Sequence, residues 1–409
     1  MTRPQATRSL TGVIALNRTA RALARHAAIR TAAWWLRFRR FARTAAPPCS
    51  NSLAVIGFLE TASGIGTAGR GLLTALAPLR PLPISIDDCA LTPRLPIETA
   101  PTNSAASGCR VALAAHIYNP DIFLRLVRTG RSHLIQSPRI NLAIVNWETN
   151  RLPPSWRCIL SLYDILCAPS SFTAAAVQRA TGRPVHVVPN CVPVQPLRKA
   201  SCLSGHFAFL SLFDHLSDFD RKNPLAAIRA FVIAARQLPS GVSCRLRLKC
   251  HANTPPELVA RLRMESEGAP IEILARTLSP ADMEVLWGQS DCLISLHRSE
   301  GFGLPVAEAI ARGIPVIATR QGGILDFVDD SSGFLIDGHA SRSLGTDSSY
   351  PEWSGWIEPD IDTASQAIRA VMVDYDRAAT AAMHARERLS HVTSQTAVLE
   401  AFQRAAASR

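Results

Sequence analysis

Four charged side chains in the second half of the chain have types and spacings that suit a phosphorylated sugar ligand. Glu300 and Glu308 flank a Gly-Phe-Gly-Leu-Pro stretch, and Arg221 and Lys222 stand just before a helical pattern that a proline opens. Carboxylates accept hydrogen bonds from sugar and ribose hydroxyls, whereas arginine and lysine bind phosphate oxygens. A helix dipole disfavours cations at its N-terminus, so an anion bound between them is a better explanation than chance. Taken singly, Glu308 is better explained by a favourable interaction with the helix dipole and Glu300 as a solvated loop residue. For Arg221 and Lys222 the alternative is an ordinary solvated surface pair.

The segment with the two glutamates follows a predicted strand, 292–296, and enters a predicted helix. In open α/β sheets, ligands bind at the carboxyl ends of the strands. Gly301 and Gly303 let the backbone approach a ligand closely, and the free N–H groups at the helix start can bind an anion. The predicted contacts in this segment are Glu300, Gly301, Phe302, Gly303, Leu304 and Glu308.

A second glycine pattern lies in the first half and supports a rival hypothesis. Gly64, Gly66 and Gly69 form G-x-G-x-x-G after a predicted strand, and Asp87 and Asp88 follow at about the spacing of a dinucleotide fingerprint. This pattern favours an NAD-dependent oxidoreductase. A single glycine fingerprint is weak evidence, however, and it leaves the charged cluster of the second half unexplained.

Short apolar runs alternate with helical patterns in two series, which a proline-rich connection near 188–196 separates. The alternation predicts an α/β protein with two Rossmann-like domains, each a doubly wound parallel sheet, and a ligand cleft between them. The predicted strands are 53–58, 84–86, 111–117, 142–147, 165–168 and 185–188, then 207–213, 244–249, 271–274, 292–296, 314–318 and 334–336. The predicted helices include 67–76, 172–180, 224–237 and 280–288.

The predicted organisation has four parts. They are a basic tail (1–48), an N-terminal acceptor domain (49–195), a C-terminal donor domain (196–363) and C-terminal helices (364–409) that pack partly back on the N-terminal domain. A chain of 409 residues with 47% hydrophobic residues can bury two cores of ordinary size. The ten cysteines are scattered, with no C-x-x-C pair, which predicts reduced thiols in a cytoplasmic protein without a structural metal.

The positive charge of the chain is a property of its tail. Residues 1–48 hold ten arginines and no Asp, Glu or Lys; removing them from the total of +12 leaves +2 on the remainder. The charge therefore does not predict nucleic-acid binding. Residues 20–41 can form a basic amphipathic helix with Trp34, Trp35 and Phe38, which predicts peripheral contact with an anionic membrane. A disordered leader, a wrongly chosen start codon and a transit peptide remain as alternatives.

The stretch from Glu300 to Glu308 resembles the E-x7-E motif of family 4 retaining glycosyltransferases with the GT-B fold. The resemblance implies that the first glutamate contacts the transferred sugar and the second holds the ribose of a UDP- or GDP-sugar. It implies that Arg221 and Lys222 bind the donor diphosphate, and that Gly64 and Gly66 close over it from the opposite domain. It also implies retention of anomeric configuration, no metal and no further cofactor.

The segment around Trp147-Glu148-Thr149, followed by Pro169-Ser-Ser-Phe172, resembles a bacterial subgroup of the same family. Many family members carry a His or Asp where this chain has Trp147 and Glu148, so Glu148 is the candidate that orients the acceptor or takes its proton. A structural carboxylate is the alternative, and His116 and His297 are weaker candidates. The implied reaction transfers a hexose to a glycan or lipid-linked acceptor in bacterial surface polysaccharide synthesis, with Glu148, Lys222 and Glu300 as catalytic residues. A non-catalytic nucleotide-sugar binder remains a third hypothesis.

Overall fold

The computed structural model describes residues 27–38, 52–87, 111–198, 206–238, 242–342, 350 and 355–408. The first sheet contains β1 (Leu53–Gly57), β2 (Leu82–Ser85), β3 (Leu113–Ile117), β4 (Ile140–Ile144), β5 (Ile165–Ala168) and β6 (His186–Val187). Its strands lie in the order β2-β1-β3-β4-β5-β6, and all neighbouring strands are parallel.

The second sheet has the strand order of a doubly wound fold. It contains β7 (His206–Leu212), β8 (Ser243–Cys250), β9 (Ile271–Ala275), β10 (Cys292–Ser295), β11 (Val316–Thr319) and β12 (Phe334–Ile336). The order is β12-β11-β10-β7-β8-β9, and all pairs are parallel. Read from the other edge, the six strands follow the 3-2-1-4-5-6 order of dinucleotide-binding folds. The predicted class, two parallel α/β domains, is confirmed.

Helices cover the faces of both sheets. A helix at residues 27–38, α1, comes before the first sheet. The others are α2 (Gly64–Ala75), α3 (Phe123–Arg128), α4 (His133–Gln136), α5 (Trp156–Leu160), α6 (Ser171–Thr181), α7 (Phe219–Lys222), α8 (Pro224–Ala235), α9 (Pro256–Glu265), α10 (Pro280–Gly288), α11 (Leu304–Ala311), α12 (Ile361–Val373), α13 (Tyr375–Thr393) and α14 (Gln395–Ala407).

Side chains alternate between the two faces of each sheet. Because helices cover both faces, the side chains on both are buried. In β4, Leu142 and Ile144 pack on one face, whereas Ala143 packs on the other. The last helix, α14, contributes Phe402 to the same cluster as Leu142. The C-terminal end of the chain therefore packs on the first sheet, although α13 packs on the second through Leu389.

Helix α1 is amphipathic, as predicted for the wider segment 20–41, whose other residues lie outside the described part of the chain. Ile29, Ala33 and Leu36 are buried in the first domain. These positions recur at the spacing of one helix face. On the other side, Trp34 is 70% and Phe38 66% exposed.

A small hairpin that the sequence does not predict follows the second sheet. β13 (Gly338–Ser341) pairs antiparallel with β14 (Trp356–Pro359). Its first strand is a Gly-His-Ala-Ser run without β-branched residues, and its partner begins 15 residues later. Within the described ranges, no helix combines the length and apolar character that a membrane span requires.

Candidate active site

The loop between β10 and α11 lies against the first domain and depends on two glycines. A Cβ atom at Gly301 would lie 2.3 Å from the carbonyl oxygen of Trp147. Gly303 precedes α11 with φ of 87°, a conformation that favours glycine because it has no side chain to clash. These constraints place Glu300 at the carboxyl end of β10, next to the first domain.

Two cations from α7 pair with the Glu300 carboxylate. The Lys222 ammonium donates a hydrogen bond to Oε1 of Glu300, and Nη1 of Arg221 lies 3.2 Å from the same oxygen. Burial alone would raise the pKa of Glu300, but Lys222 and Arg221 outweigh it and lower that pKa to about 2. Glu300 is therefore ionised at any ordinary pH. The structure thus brings together three of the four charged residues that the sequence predicts to bind one ligand.

Contacts within the protein hold the Arg221 side chain in place. It is 1% exposed, and its guanidinium donates to the carbonyl oxygens of Ser299 and Ser217, each at 2.8 Å. Its Nε is buried without a hydrogen-bond partner among the described residues. The sequence places Arg221 and Lys222 only before the helix that Pro224 opens. In the structure they also form the last turn of α7, where a helix end favours cations.

Glu148 reaches this cluster from the first domain. Its Oε1 lies 4.0 Å from Nη2 of Arg221, and its Oε2 accepts a hydrogen bond from the Tyr350 hydroxyl at 3.3 Å. Its backbone carbonyl accepts a hydrogen bond from Ser299 Oγ. Burial raises the pKa of Glu148, and the nearby Glu300 carboxylate contributes to the rise. A carboxylate with a raised pKa beside ionised partners is suited to proton transfer.

The start of α6 provides a second contact between the domains. Ser170 Oγ and Thr173 Oγ1 both donate to the carbonyl oxygen of Gly301, and Thr173 Oγ1 also donates to that of Trp147 at 2.8 Å. The backbone N–H of Ser171 donates to Asp326 Oδ2 at 2.8 Å. Four segments from different parts of the chain therefore meet where the charged cluster lies.

The comparisons with known proteins agree with this geometry. A family model described as "Family 4 Glycosyltransferase in conflict systems" matches residues 170–400, more than half of the 409-residue chain. The chain belongs to this glycosyltransferase family. D-inositol 3-phosphate glycosyltransferases are among its relatives, with 41% identity over 83 residues in Corynebacterium jeikeium and 34% over 114 residues in Geodermatophilus obscurus. These matches cover 19% and 26% of this chain, and 20% and 25% of the two relatives.

Solved structures show the same fold. Anabaena HepE, in complex with UDP and glucose, superimposes with a TM-score of 0.59 at 14% identity, over 88% of this chain and 100% of its own. A sucrose-phosphate synthase from Thermosynechococcus elongatus gives a TM-score of 0.59 at 14% identity, over 87% of this chain and 98% of its own. At this identity the likeness shows the fold alone. The family 4 glycosyltransferase has the GT-B fold that its motifs imply.

Glu308 is the fourth charged residue that the sequence predicts at the donor site of this glycosyltransferase. Within the described ranges, it forms no ion pair or hydrogen bond with the other three. Its carboxylate accepts no hydrogen bond within the described ranges, and burial raises its pKa to about 7. Glu284 adds to this rise, whereas Arg312 opposes it. The sequence predicts the position of Glu308 on α11, but in the part of the chain that the structure describes its carboxylate has no hydrogen-bond donor. Its predicted contact with a ribose stays a prediction.

The glycine pattern of the first domain lies in a helix rather than a loop. Ser63 caps α2, and its Oγ accepts a hydrogen bond from the Gly66 backbone N–H at 3.1 Å. The helix thus begins three residues earlier than predicted, and Gly64 and Gly66 form its first turn. A Cβ at Gly64 would lie 3.8 Å from Leu304. The predicted donor-binding positions of the two domains therefore face each other here.

One carboxylate oxygen of Asp87, a residue predicted to bind a dinucleotide ribose, is already hydrogen-bonded within the first domain. Its Oδ2 accepts hydrogen bonds from the Glu60 backbone N–H at 2.9 Å and from Ser85 Oγ at 2.6 Å. It therefore connects the turns that follow β1 and β2. Asp88 lies outside the described residues. Together with the family match, this contact removes the support for an NAD-dependent oxidoreductase.

The two weaker histidine candidates are buried in internal contacts. His116 lies 2.9 Å from both the Tyr118 hydroxyl and Asn141 Oδ1, which fits a structural role. His297 Nε2 lies 3.1 Å from the Gln321 carbonyl oxygen, and burial lowers its pKa. Phe302 is also buried, with its ring packed against Phe327. Any contact of Phe302 with a donor would therefore come from its backbone.

Three residues of the site are not predicted by the sequence. Ser299 and Tyr350 both bond to Glu148, and the Gly323 backbone N–H donates to the Glu300 carbonyl oxygen at 3.0 Å. The Gly322-Gly323 pair, two residues after the apolar strand β11, is a usable signal for a loop at the ligand edge. No local signal identifies Tyr350, which contacts a residue 202 positions away. Over the described part of the chain, no three His, Cys, Asp or Glu side chains cluster so as to hold a metal ion.

Proposed function

We propose that this chain is a retaining glycosyltransferase that moves a hexose from a UDP- or GDP-sugar to a glycan or glycolipid acceptor without a divalent metal. The observation that carries the proposal is the convergence of Arg221, Lys222 and Glu300 at the carboxyl edge of the second sheet. Two cations beside one carboxylate suit a sugar diphosphate, because they oppose the negative charge that grows on the leaving phosphate.

The residues of the cluster would divide the reaction between them. The bond from the anomeric carbon to the diphosphate oxygen breaks, and Arg221 and Lys222 stabilise the oxygen that leaves with the electron pair. Glu300 holds hydroxyls of the transferred sugar. The acceptor oxygen forms the new bond, and Glu148, which faces Arg221 from the first domain, orients the acceptor or takes its proton.

Three further groups of donor contacts rest on placement rather than on direct bonding. Glu308 has no hydrogen-bond donor among the described residues, so a ribose hydroxyl would satisfy a carboxylate that burial otherwise disfavours. Gly301, Gly303 and the start of α11 would bring backbone N–H groups close to the donor. Gly64 and Gly66 would close over the phosphates from the first domain.

The acceptor and the compartment are the least constrained parts of the proposal. We propose a growing surface glycan or a lipid-linked glycan of a bacterium, in the cytoplasm or at the inner face of the membrane. The six free cysteines among the described residues are compatible with a reducing compartment. Because the curated relatives are named for D-inositol 3-phosphate, a soluble phosphorylated polyol belongs in the same acceptor panel.

Nucleoside-diphosphate release tests the proposal directly. The full chain is incubated with UDP- and GDP-hexoses, with and without glycan, glycolipid and inositol phosphate acceptors. Release that depends on an acceptor, and a product with the donor's anomeric configuration by NMR, is the expected result. Unchanged activity in EDTA would support metal independence.

Two matched variants make the assay specific to the site. Lys222→Ala removes a cation of the cluster, whereas Arg236→Ala removes one from an exposed ion pair with Glu267 at the end of α8. Stabilisation by a nucleotide sugar without any turnover would instead favour a non-catalytic binder. Inversion of the anomeric centre would contradict the retaining mechanism.

A further inference from the structure

We propose that the outer face of α1 and the groove between α1 and α5 dock on an anionic phospholipid surface, with a lipid phosphate between Arg30 and Arg157. This surface is separate from the charged cluster. It combines a groove, a line of exposed aromatic rings, and two chain segments that contain arginines and no carboxylate.

The side chains that line the groove are suited to bind the phosphate end of an amphiphile. It encloses about 500 Å³, and its lining combines the two arginines with apolar side chains such as Leu152, Pro153 and Pro154. No carboxylate lines it. Within the described ranges, neither guanidinium has an ion pair or a hydrogen bond, although both are exposed. Two unpaired arginines beside an apolar wall are suited to a phosphate attached to a hydrocarbon.

A line of exposed side chains, two of them aromatic, runs along helix α1 away from this groove. Arg30, Trp34 and Phe38 recur every four residues and therefore lie along one side of the helix. The rings of Trp34 and Phe38 stack with centroids 6.2 Å apart and planes 16° from parallel. Ile29 and Leu36 fix the opposite side of the helix in the domain core. The rings are thus presented outward by an anchored helix, which is how amphipathic segments enter a headgroup region.

The charge of this surface selects an anionic membrane as its partner. Residues 27–38 and 150–163 contain four arginines, Arg30, Arg37, Arg151 and Arg157, and no Asp or Glu. A lipid headgroup layer offers negative charge and an apolar interior together, whereas free phosphate offers no partner for the exposed rings. Cations near an anionic leaflet contribute about 1 kcal/mol each to binding.

Vesicle co-sedimentation of the full chain tests the proposal. Vesicles of phosphatidylcholine alone are compared with vesicles that also contain phosphatidylglycerol. The wild type should bind only the second kind, and less at high salt. Arg30→Gln with Arg157→Gln should weaken that binding by about thirtyfold. Trp34→Ser with Phe38→Ser should weaken binding as well, and because both rings are exposed this pair should leave the thermal unfolding temperature unchanged.

A control on the other domain separates a specific surface from general charge and hydrophobicity. Arg263→Gln with Met264→Ser removes an exposed arginine and a 79% exposed methionine from α9, and it should bind vesicles like the wild type. Arg30→Lys with Arg157→Lys should restore most of the binding. Lys222→Ala should also bind normally, so failure of the proposed catalytic function would not affect this result.

Three outcomes would overturn the proposal. The first is equal binding to neutral and anionic vesicles, or no binding to either. The second is wild-type affinity in both Arg30→Gln with Arg157→Gln and Trp34→Ser with Phe38→Ser. The third is complete displacement from vesicles by inorganic phosphate, which would indicate a site for small anions.

Discussion

The Lys222 ammonium and the Glu300 carboxylate form a direct ion pair across the carboxyl edge of the second sheet. Because α7 supplies one partner and the β10–α11 loop the other, the pair holds two site-forming segments together. In the proposed donor site, the pair would also hold the lysine close to the diphosphate, which would limit reorganisation during the reaction.

Replacement of Lys222 by alanine should lower kcat/KM by about 10²- to 10³-fold, the usual effect of removing one group that stabilises transition-state charge. Steady-state kinetics of nucleoside-diphosphate release would measure it. Lys222→Arg should recover part of the loss because it keeps the charge. Arg236→Ala, from an exposed pair, serves as the control. Near-normal kinetics in Lys222→Ala would remove this residue from the donor site.

Glu148→Gln should reduce kcat by about 10²- to 10⁴-fold if the carboxylate acts in proton transfer. In the wild type, burial raises the pKa of Glu148 and the Tyr350 hydrogen bond opposes the rise. Activity should therefore increase with pH as Glu148 loses its proton. Tyr350→Phe should move this increase to higher pH while preserving activity at alkaline pH. A pH profile that stays the same in Tyr350→Phe would make Glu148 a structural carboxylate.

The sequence predicts the sheets and the second-domain cluster because both depend on local patterns. Buried parallel strands are continuous apolar runs, and all twelve strands of the two sheets appear within a few residues of their predicted positions. Arg221, Lys222 and Glu300 lie next to strand and helix boundaries, so their meeting follows from the topology of one sheet. Their ion pairing does not follow, since it depends on side-chain directions.

Contacts between distant segments account for what the sequence misses. The Tyr350 bond to Glu148 joins residues 202 positions apart, and the Ser171 contact with Asp326 joins residues 155 apart. The start of α2 at Gly64 rather than residue 67 was locally predictable, because Ser63 is a good N-cap. Because glycine is a poor helix former, Gly64 and Gly66 make the sequence predict a later start than the structure shows.

Glu308→Gln should make the protein more stable at pH 8 and remove a pH dependence. The pKa of Glu308 is about 7 in the folded chain against an ordinary value of 4.5, so the folded state favours the protonated form. Wild-type stability should therefore fall as pH rises from about 4.5 to about 7. At pH 8 the variant should gain about 1–3 kcal/mol in the free energy of unfolding, partial exposure reducing the full effect.

Urea unfolding of wild type and Glu308→Gln at pH 5 and pH 8 measures this difference. The variant should also bind the nucleotide sugar more weakly, as expected of a carboxylate kept for its ligand at a cost in stability. Glu272→Gln, from a partly exposed pair with Arg247, should show neither effect. Equal stability of wild type and Glu308→Gln at pH 8 would contradict the raised pKa.

Gly303→Ala should destabilise the protein by about 2–4 kcal/mol and weaken donor binding. Alanine is strained at the observed φ of 87°, and its Cβ would lie 2.3 Å from a methyl carbon of Ile324. Relief of that contact would shift the start of α11, where the donor is proposed to bind. Gly288→Ala is the matched control, because a Cβ there has no atom within 4 Å and the residue has no positive φ; it should leave stability unchanged or raise it by up to about 1 kcal/mol. Equal losses in the two variants would show that the conformation of Gly303 is not what holds this loop.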